Sequence, residues 1–356
     1  MLVRLESRQM KTAFRPTVYH YLLALIATIS FHEEIFGGQA GSRQFNHEAA
    51  YRFDPGTLVK PFSGTKNSSL KTTPPRTSSP RFGQSDIGLQ RPVAVKRRGL
   101  DYFVGFATKV YYSSNPSIAG RNTQLAFPAG ILQNNIHSGF RLGSYNWGNA
   151  AFSPYIGASY TRFDHFGDED LDTFDMNSLG IYGFGLVQFQ NRWSIRTGLN
   201  YSQDNNAQTG SRDYYDFYPN FTILKTFSLG RSLSLVDFAI GRHFTDAPHH
   251  GSLQNGVYDA LDRWEFSSRW TVITHIGKLE VSPYARIAFL TYKNGDMHDR
   301  KDLMREVGLD LEYPFNKYIS ANIFARYVSR LSKGGPGSYD FDRFDGGGGA
   351  ALKAKF

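Results

Sequence analysis

The chain has 356 residues, no cysteine, and a heavy load of Gly (35), Phe (29) and Tyr (21). Without cysteine there is no disulfide framework, thiolate nucleophile or cysteine-ligated zinc, and with no run approaching the ~20 apolar residues of a spanning helix, a helical membrane protein is excluded. The formal charge of +9 is unevenly spread: +8 falls within residues 41–98, +1 within residues 1–40, and residues 99–356 balance at zero.

At the N-terminal end, Arg4, Arg8, Lys11 and Arg15 precede a short, mostly apolar run from Tyr19 to Phe31, and Gly38, Gln39 and Ala40 supply small residues where a processing enzyme would cut. Residues 1–40 therefore have the layout of a secretory signal peptide. Residues 41–98 are dense in Ser, Thr, Pro and Gly, as in the stretch from Lys71 to Pro80. Such a composition cannot bury enough apolar surface to offset chain entropy, and the segment is expected to be a disordered, basic periplasmic linker. Aromatic residues are few among its basic ones, so a nucleic-acid platform is not expected.

From Gly99 onward the dominant signal is period two. Trp193, Ile195, Thr197, Leu199 and Tyr201 share one face of a strand whose other face is Ser194, Arg196, Gly198, Asn200 and Ser202. Val307, Leu309, Leu311 and Tyr313 oppose Glu306, Gly308, Asp310 and Glu312, and Trp264, Phe266, Trp270 and Val272 oppose Glu265, Ser267, Arg269 and Thr271. Large aromatics (Tyr102, Tyr112, Trp193, Tyr201, Trp264, Tyr313, Phe356) gather near segment ends on the apolar face, as membrane-interface girdles do.

The pattern yields twelve segments: 100–112, 131–144, 151–164, 178–189, 193–203, 214–227, 233–245, 263–275, 279–292, 303–315, 318–331 and 341–356. The connections alternate, brief near Asn149, Asn191, Gly230, Gly277 and Asn316, and long near Pro116, Asp168, Asn206, His249, Asp296 and Gly335. The expected fold is all-β: an antiparallel up-and-down transmembrane β-barrel of about twelve strands over residues 99–356, with short periplasmic turns and long extracellular loops. An even strand number lets the first and last strands pair and leaves no backbone edge facing lipid. The glycine run from Gly346 to Gly349 predicts a closing strand that is thin or closely approached by its neighbours.

The final segment places Phe344, Gly346, Gly348, Ala350, Leu352, Ala354 and Phe356 on one face. It resembles the C-terminal assembly signal of bacterial outer-membrane β-barrels. That resemblance implies location in the outer membrane, contact with its lipids and lipopolysaccharide, and insertion by the outer-membrane assembly machinery; it points to no specific family.

Inward polar parity would bring Lys109, Arg141, Arg196, Asn200, Asn220, Glu265, Arg269, Glu280, Arg286, Glu306, Asp310, Glu312 and Arg326 into the lumen, with Arg162 and Arg242 as further members. Arginines on many strands suit a ladder for planar oxygen acceptors, and so a narrow passive channel for small hydrophilic, including anionic, solutes. A salt-bridged plug in a structural or secretion-associated barrel accounts for the same residues, and an outer-membrane lipid hydrolase is the alternative from another class. Against an enzyme, no G-x-S-x-G, H-E-x-x-H or P-loop motif is present. His137 and Ser138 are strand neighbours on opposite faces, and His275 and Ser267 are too far apart along one strand to meet. Asp168, Asp170 and Asp172, in an acidic loop with Asp164, Glu169 and Asp175, are weak candidates for a divalent cation; no cofactor is expected, and His243, Asp246, His249 and His250 read as ordinary loop residues.

Overall fold

The computed structural model describes residues 101–116, 128–167, 169–246, 261–335 and 339–356. The expected leader and basic linker lie outside the described residues. Thirteen strands follow one another: β1 (Asp101–Ser113), β2 (Ala129–Arg141), β3 (Tyr145–Trp147), β4 (Ala150–Phe166), β5 (Met176–Phe189), β6 (Trp193–Asn206), β7 (Arg212–Leu229), β8 (Ser232–Asp246), β9 (Arg263–Ile276), β10 (Leu279–Tyr292), β11 (Lys301–Pro314), β12 (Ile319–Lys333) and β13 (Phe341–Lys355). Two 3-10 turns, Glu169–Phe174 and Gly295–Met297, sit in the connections.

Each long strand pairs antiparallel with its neighbours, β2 pairs directly with β4, and β1 pairs with β13, so the sheet closes on itself. The three-residue β3 pairs only with β4 and stands outside the wall, which therefore has twelve strands. In place of the expected brief turn near Asn149, the chain makes this small flap, carrying the exposed Trp147. The other connections at the end holding Asp101 and Lys355, here the basal end, are tight. Gly230 and Gly277 take φ of 62° and 63°, which two-residue hairpins need for strands of right-handed twist. The connections at the opposite, distal end are longer.

The wall follows the alternation in the sequence. Along β1, Val104, Phe106, Val110 and Tyr112 are exposed while Gly105, Tyr111 and Ser113 are buried, and the same inversion recurs around the barrel. A closed sheet that turns Phe106, Ile181, Leu199, Phe238, Ile287, Ile323 and Leu352 outward and charges inward is built for hydrocarbon on its outside. On that outer face the Trp270 indole donates to Ser234 Oγ at 2.7 Å and Arg305 Nη2 to Ser329 Oγ at 3.4 Å.

Aromatic rings on the inside lie over glycines. A Cβ at Gly308 would meet the Tyr284 ring at 2.5 Å, and one at Gly347 would meet Tyr111 Cβ at 2.3 Å. Because β13 offers glycine at positions 347 and 349, Tyr111 of β1 and Phe324 of β12 meet edge to face across it, with ring centroids 5.5 Å apart.

The barrel closes at its basal end where Phe356 N donates to Tyr102 O at 2.9 Å and the two rings stack at 4.5 Å and 11°. A stacked pair of this kind is worth about 0.5–1.5 kcal/mol beyond its buried area. Phe356→Ala is accordingly expected to destabilise the micelle-refolded barrel by that modest amount, read from its urea unfolding curve, and to slow closure, read as the rate at which the heat-modifiable electrophoretic band appears.

Candidate functional site: the charged interior of the barrel

Alternation places Lys109, Arg141, Arg196, Asn200, Asn220, Glu265, Arg269, Glu280, Arg286, Glu306, Asp310, Glu312 and Arg326 on the inward face of their strands. Arg162 and Arg242 are different. Both fall on the outward parity near the distal ends of β4 and β8, where Arg162 bonds Asp164 at 2.6 Å and Arg242 lies over the Phe244 and Trp264 rings at 4.6 and 5.8 Å. A charge belongs to the lumen only where the outer surface is hydrocarbon; at a strand's distal end the outer surface leaves the apolar band, and a cation is accommodated there.

The inward charges join in a belt that runs from strand to strand. On β11, Asp302, Glu306, Asp310 and Glu312 form an acidic stripe, flanked by Arg286 on β10 and Arg326 on β12. Arg286 pairs with Glu265 and reaches Glu306 at 4.0 Å. Tyr284 donates to Glu306 at 2.9 Å while its ring carries the Arg269 guanidinium 4.1 Å from the centroid. Beyond Glu265, His243 Nε2 lies 3.4 Å away, its Nδ1 is 2.7 Å from Asp216, and Tyr218 stacks on the imidazole at 4.0 Å. In the other direction Arg326 and Arg343 converge on Asp345 at 2.7 and 3.1 Å. His243 thus belongs to β8 and to this belt, contrary to its reading as a loop residue; Asp246 pairs instead with Arg212 at 2.9 Å, and His249 and His250 lie outside the described residues.

Water access falls from the basal end to the distal end. Arg141 and Asp101, an ion pair at the basal mouth, keep about a third of their side-chain surface (30% and 34%). Glu280 keeps 17%, Arg286 9%, and at the far end Arg330 and Asp302 fall to 1% and 0%. There Arg300, entering from the β10–β11 connection, grips Asp302 with Nε at 2.8 Å and Nη2 at 2.5 Å, between the Tyr292 and Tyr339 rings. Burial works against the Arg300 charge, and its neighbours Tyr292 and Asp302 more than offset that, leaving its pKa above the ordinary arginine value. Arg330 reaches Asp302 at 3.9 Å and donates to Tyr339 O at 2.9 Å. Around this triad packs a dry cluster of Tyr214, Leu261, Leu290, Met297, Met304, Val328 and Phe341, and a smaller one holds Tyr111, Ile131, Phe163 and Met176. Among the described residues, the interior is therefore a charged cup whose side chains are wetter toward the base and dry toward the distal end.

The sealing residues Arg300, Asp302 and Arg330, and the belt members Asp216, His243, Tyr284, Arg343 and Asp345, are absent from the sequence-derived set. Parity could have found most of them, since Asp302 repeats the spacing of Glu306 and Asp310, and Arg330 that of Arg326. Arg300 carried no such signal, because it enters from a connection.

The other chemistry does not assemble among the described residues. His137, His165, His243 and His275 all face inward, so no strand histidine reaches the lipid side where an outward serine could use it. In the acidic loop Asp164 is taken by Arg162, Asp175 accepts from His165 N at 2.7 Å, and Asp172 is exposed. Asp168 and the side chain of Asp170 lie outside the described residues, and no group of acids and histidines among those described is arranged to hold a metal.

No family model matches the chain, and no curated protein matches it either. The solved structures that it resembles are bacterial outer-membrane barrels. They include the β domain of the Bordetella autotransporter BrkA (12% identity, TM-score 0.40, covering 70% of this chain and 98% of that one). The COG4313 outer-membrane channel from Pseudomonas putida F1 is 9% identical, with a TM-score of 0.45 and coverage of 74% and 99%. The KdgM porin is 8% identical, with a TM-score of 0.35 and coverage of 69% and 98%.

Proposed function

We propose that this chain is a bacterial outer-membrane barrel that acts as a narrow, gated channel for small hydrophilic solutes, anionic ones included. Its basal end would face the periplasm, its distal loops the exterior, and its closing strand the assembly machinery. The observation that carries the reading is the belt of paired arginines and carboxylates that spans the interior and loses water access step by step toward a distal seal. A barrel filled only for stability has no need of a wetted, charged lower half, since paired charges in a core hold it together no better than apolar residues of the same size. Twelve strands enclose a lumen between the filled eight-strand type and the open sixteen-strand porins, which suits a path that side chains can shut.

The test is conductance of the full chain refolded into a planar bilayer. Discrete steps of low open fraction are expected. Lys109→Ala and Arg196→Ala, both inward on strands away from the acidic stripe, should each lower the anion-to-cation permeability ratio by about fivefold, the Boltzmann weight of about 1 kcal/mol for a unit charge at contact distance in water. A wild type that inserts but stays silent, together with an equally silent Asp302→Ala variant, would overturn the channel and leave a structural barrel with a plugged lumen.

A further inference from the structure

The outer wall carries a second feature that solute passage does not use. Between β7 and β11 it is concave, with a volume of about 490 Å³ lined by Phe221, Phe238, Ile240, Phe266, Ile287 and Phe289 among others. These residues have outward parity, and Phe238 is 58% exposed. The hollow exists because Ser268 stands where its neighbours in the row, Phe238 and Ile287, are large.

The row immediately distal to this hollow is of another character. In register across four strands it reads Arg242, Trp264, Thr291 and Lys301, and β12 continues it with Lys333. Each of these residues lies two positions along its strand from the row that holds Ile240, Phe266 and Phe289, a step of about 6.6 Å. Arg242 and Lys301 are three strand spacings apart, about 14 Å, and both lysines are exposed. Of the acids near this row, Asp262, two positions from Trp264, is buried and accepts from Thr245 N, Asp299, two positions from Lys301, lies 3.0 Å from His298, Asp246 pairs with Arg212, and Asp342 is on β13.

We infer that this face is a docking site for one molecule of lipopolysaccharide, its lipid A phosphates on Arg242, Lys301 and Lys333 and an acyl chain in the hollow beneath. Charge complementarity selects the occupant. Two or more cations in one row, separated by an aromatic and a hydroxyl and set above an apolar recess, match a lipid with separated phosphates and several chains. Guanidinium and ammonium groups at this depth gain charge-assisted bonds to phosphate that a zwitterionic headgroup does not supply. The inference rests on the proposed location in the outer membrane, with the distal end outermost.

The experiment is native mass spectrometry of the full-length protein in detergent, titrated with hexa-acylated bisphosphoryl lipid A, its dephosphorylated form and phosphatidylglycerol. One lipid A is expected to remain bound at concentrations where phosphatidylglycerol is lost. The triple variant Arg242→Ala, Lys301→Ala, Lys333→Ala should weaken retention at least tenfold, dephosphorylation of the lipid should do the same, and Ser268→Phe should displace the acyl chain with the cations intact. Folding of every variant is checked by its heat-modifiable band. Equal retention of lipid A and phosphatidylglycerol, or retention unchanged in the triple variant, would sink the site. Cell fractionation separates the two failures: a chain found in the outer membrane but indifferent to lipid A refutes this inference alone, and a chain found elsewhere refutes the reading on which it rests.

Discussion

Asp302→Ala is expected to destabilise the barrel by about 3–5 kcal/mol and, in a bilayer, to raise its open fraction. Asp302 is wholly buried and is the counter-charge that Arg300 holds through two nitrogens; Arg330 leans on the same carboxylate. Removing one partner of a buried ion pair leaves charge without compensation, which costs about 3–5 kcal/mol, whereas replacing the whole group by apolar residues of similar volume is often neutral. The comparison variant is therefore Arg300→Met, Asp302→Leu, Arg330→Met. It should recover the wild-type urea midpoint in detergent micelles yet conduct less than the wild type, because a dry seal has no charged partners to exchange. If Asp302→Ala shifts neither the midpoint nor the open fraction, the triad is not the seal.

The second large effect is at the closing seam. A Cβ built at Gly347 falls 2.3 Å from the Val110 carbonyl oxygen and from Tyr111 Cβ, both on β1, so Gly347→Val cannot be absorbed by a side-chain rotation. The β1–β13 ladder must open, and each backbone group left unpaired in lipid costs several kcal/mol. The expected result is loss of the heat-modifiable, trypsin-resistant species. Gly346→Ala on the same strand faces outward, where its Cβ comes closest to the Phe344 ring edge at 3.1 Å, a side chain that can shift, and is in ordinary contact with the Phe324 carbonyl oxygen at 3.8 Å. Resistance of the Gly347 variant to trypsin would show that the barrel does not depend on the close approach of β1 and β13.

The wall was legible in the sequence because period two is enforced twice, by hydrocarbon outside and by charge inside. The segment drawn as 279–292 coincides with β10, and 193–203 falls inside β6. Where only one constraint acts, the reading fails. Arg162 and Arg242 lie on strands whose alternation is clear, yet their charge drew them inward because the sequence does not say where the apolar band stops. The β3 flap is hidden for another reason: Tyr145, Asn146 and Trp147 are too few to show a period, and the connection near Asn149 reads as a brief turn. The distal seal was hidden because it depends on Arg300 of a connection meeting Asp302 and Arg330 of two strands, a meeting fixed by closure of the whole sheet.

The belt of shared charges has a consequence for how a solute would travel. Along the belt Arg286 holds Glu265, and Arg326 and Arg343 hold Asp345, so an anion reaching these arginines would trade places with a carboxylate on a guanidinium fork. Passage, if the proposed channel conducts, would then be a sequence of ligand substitutions along the wall. Its energy at every step is the small difference between two carboxylate-like partners rather than the full cost of dehydrating an ion, and the released side chain returns behind the traveller to close the way it came.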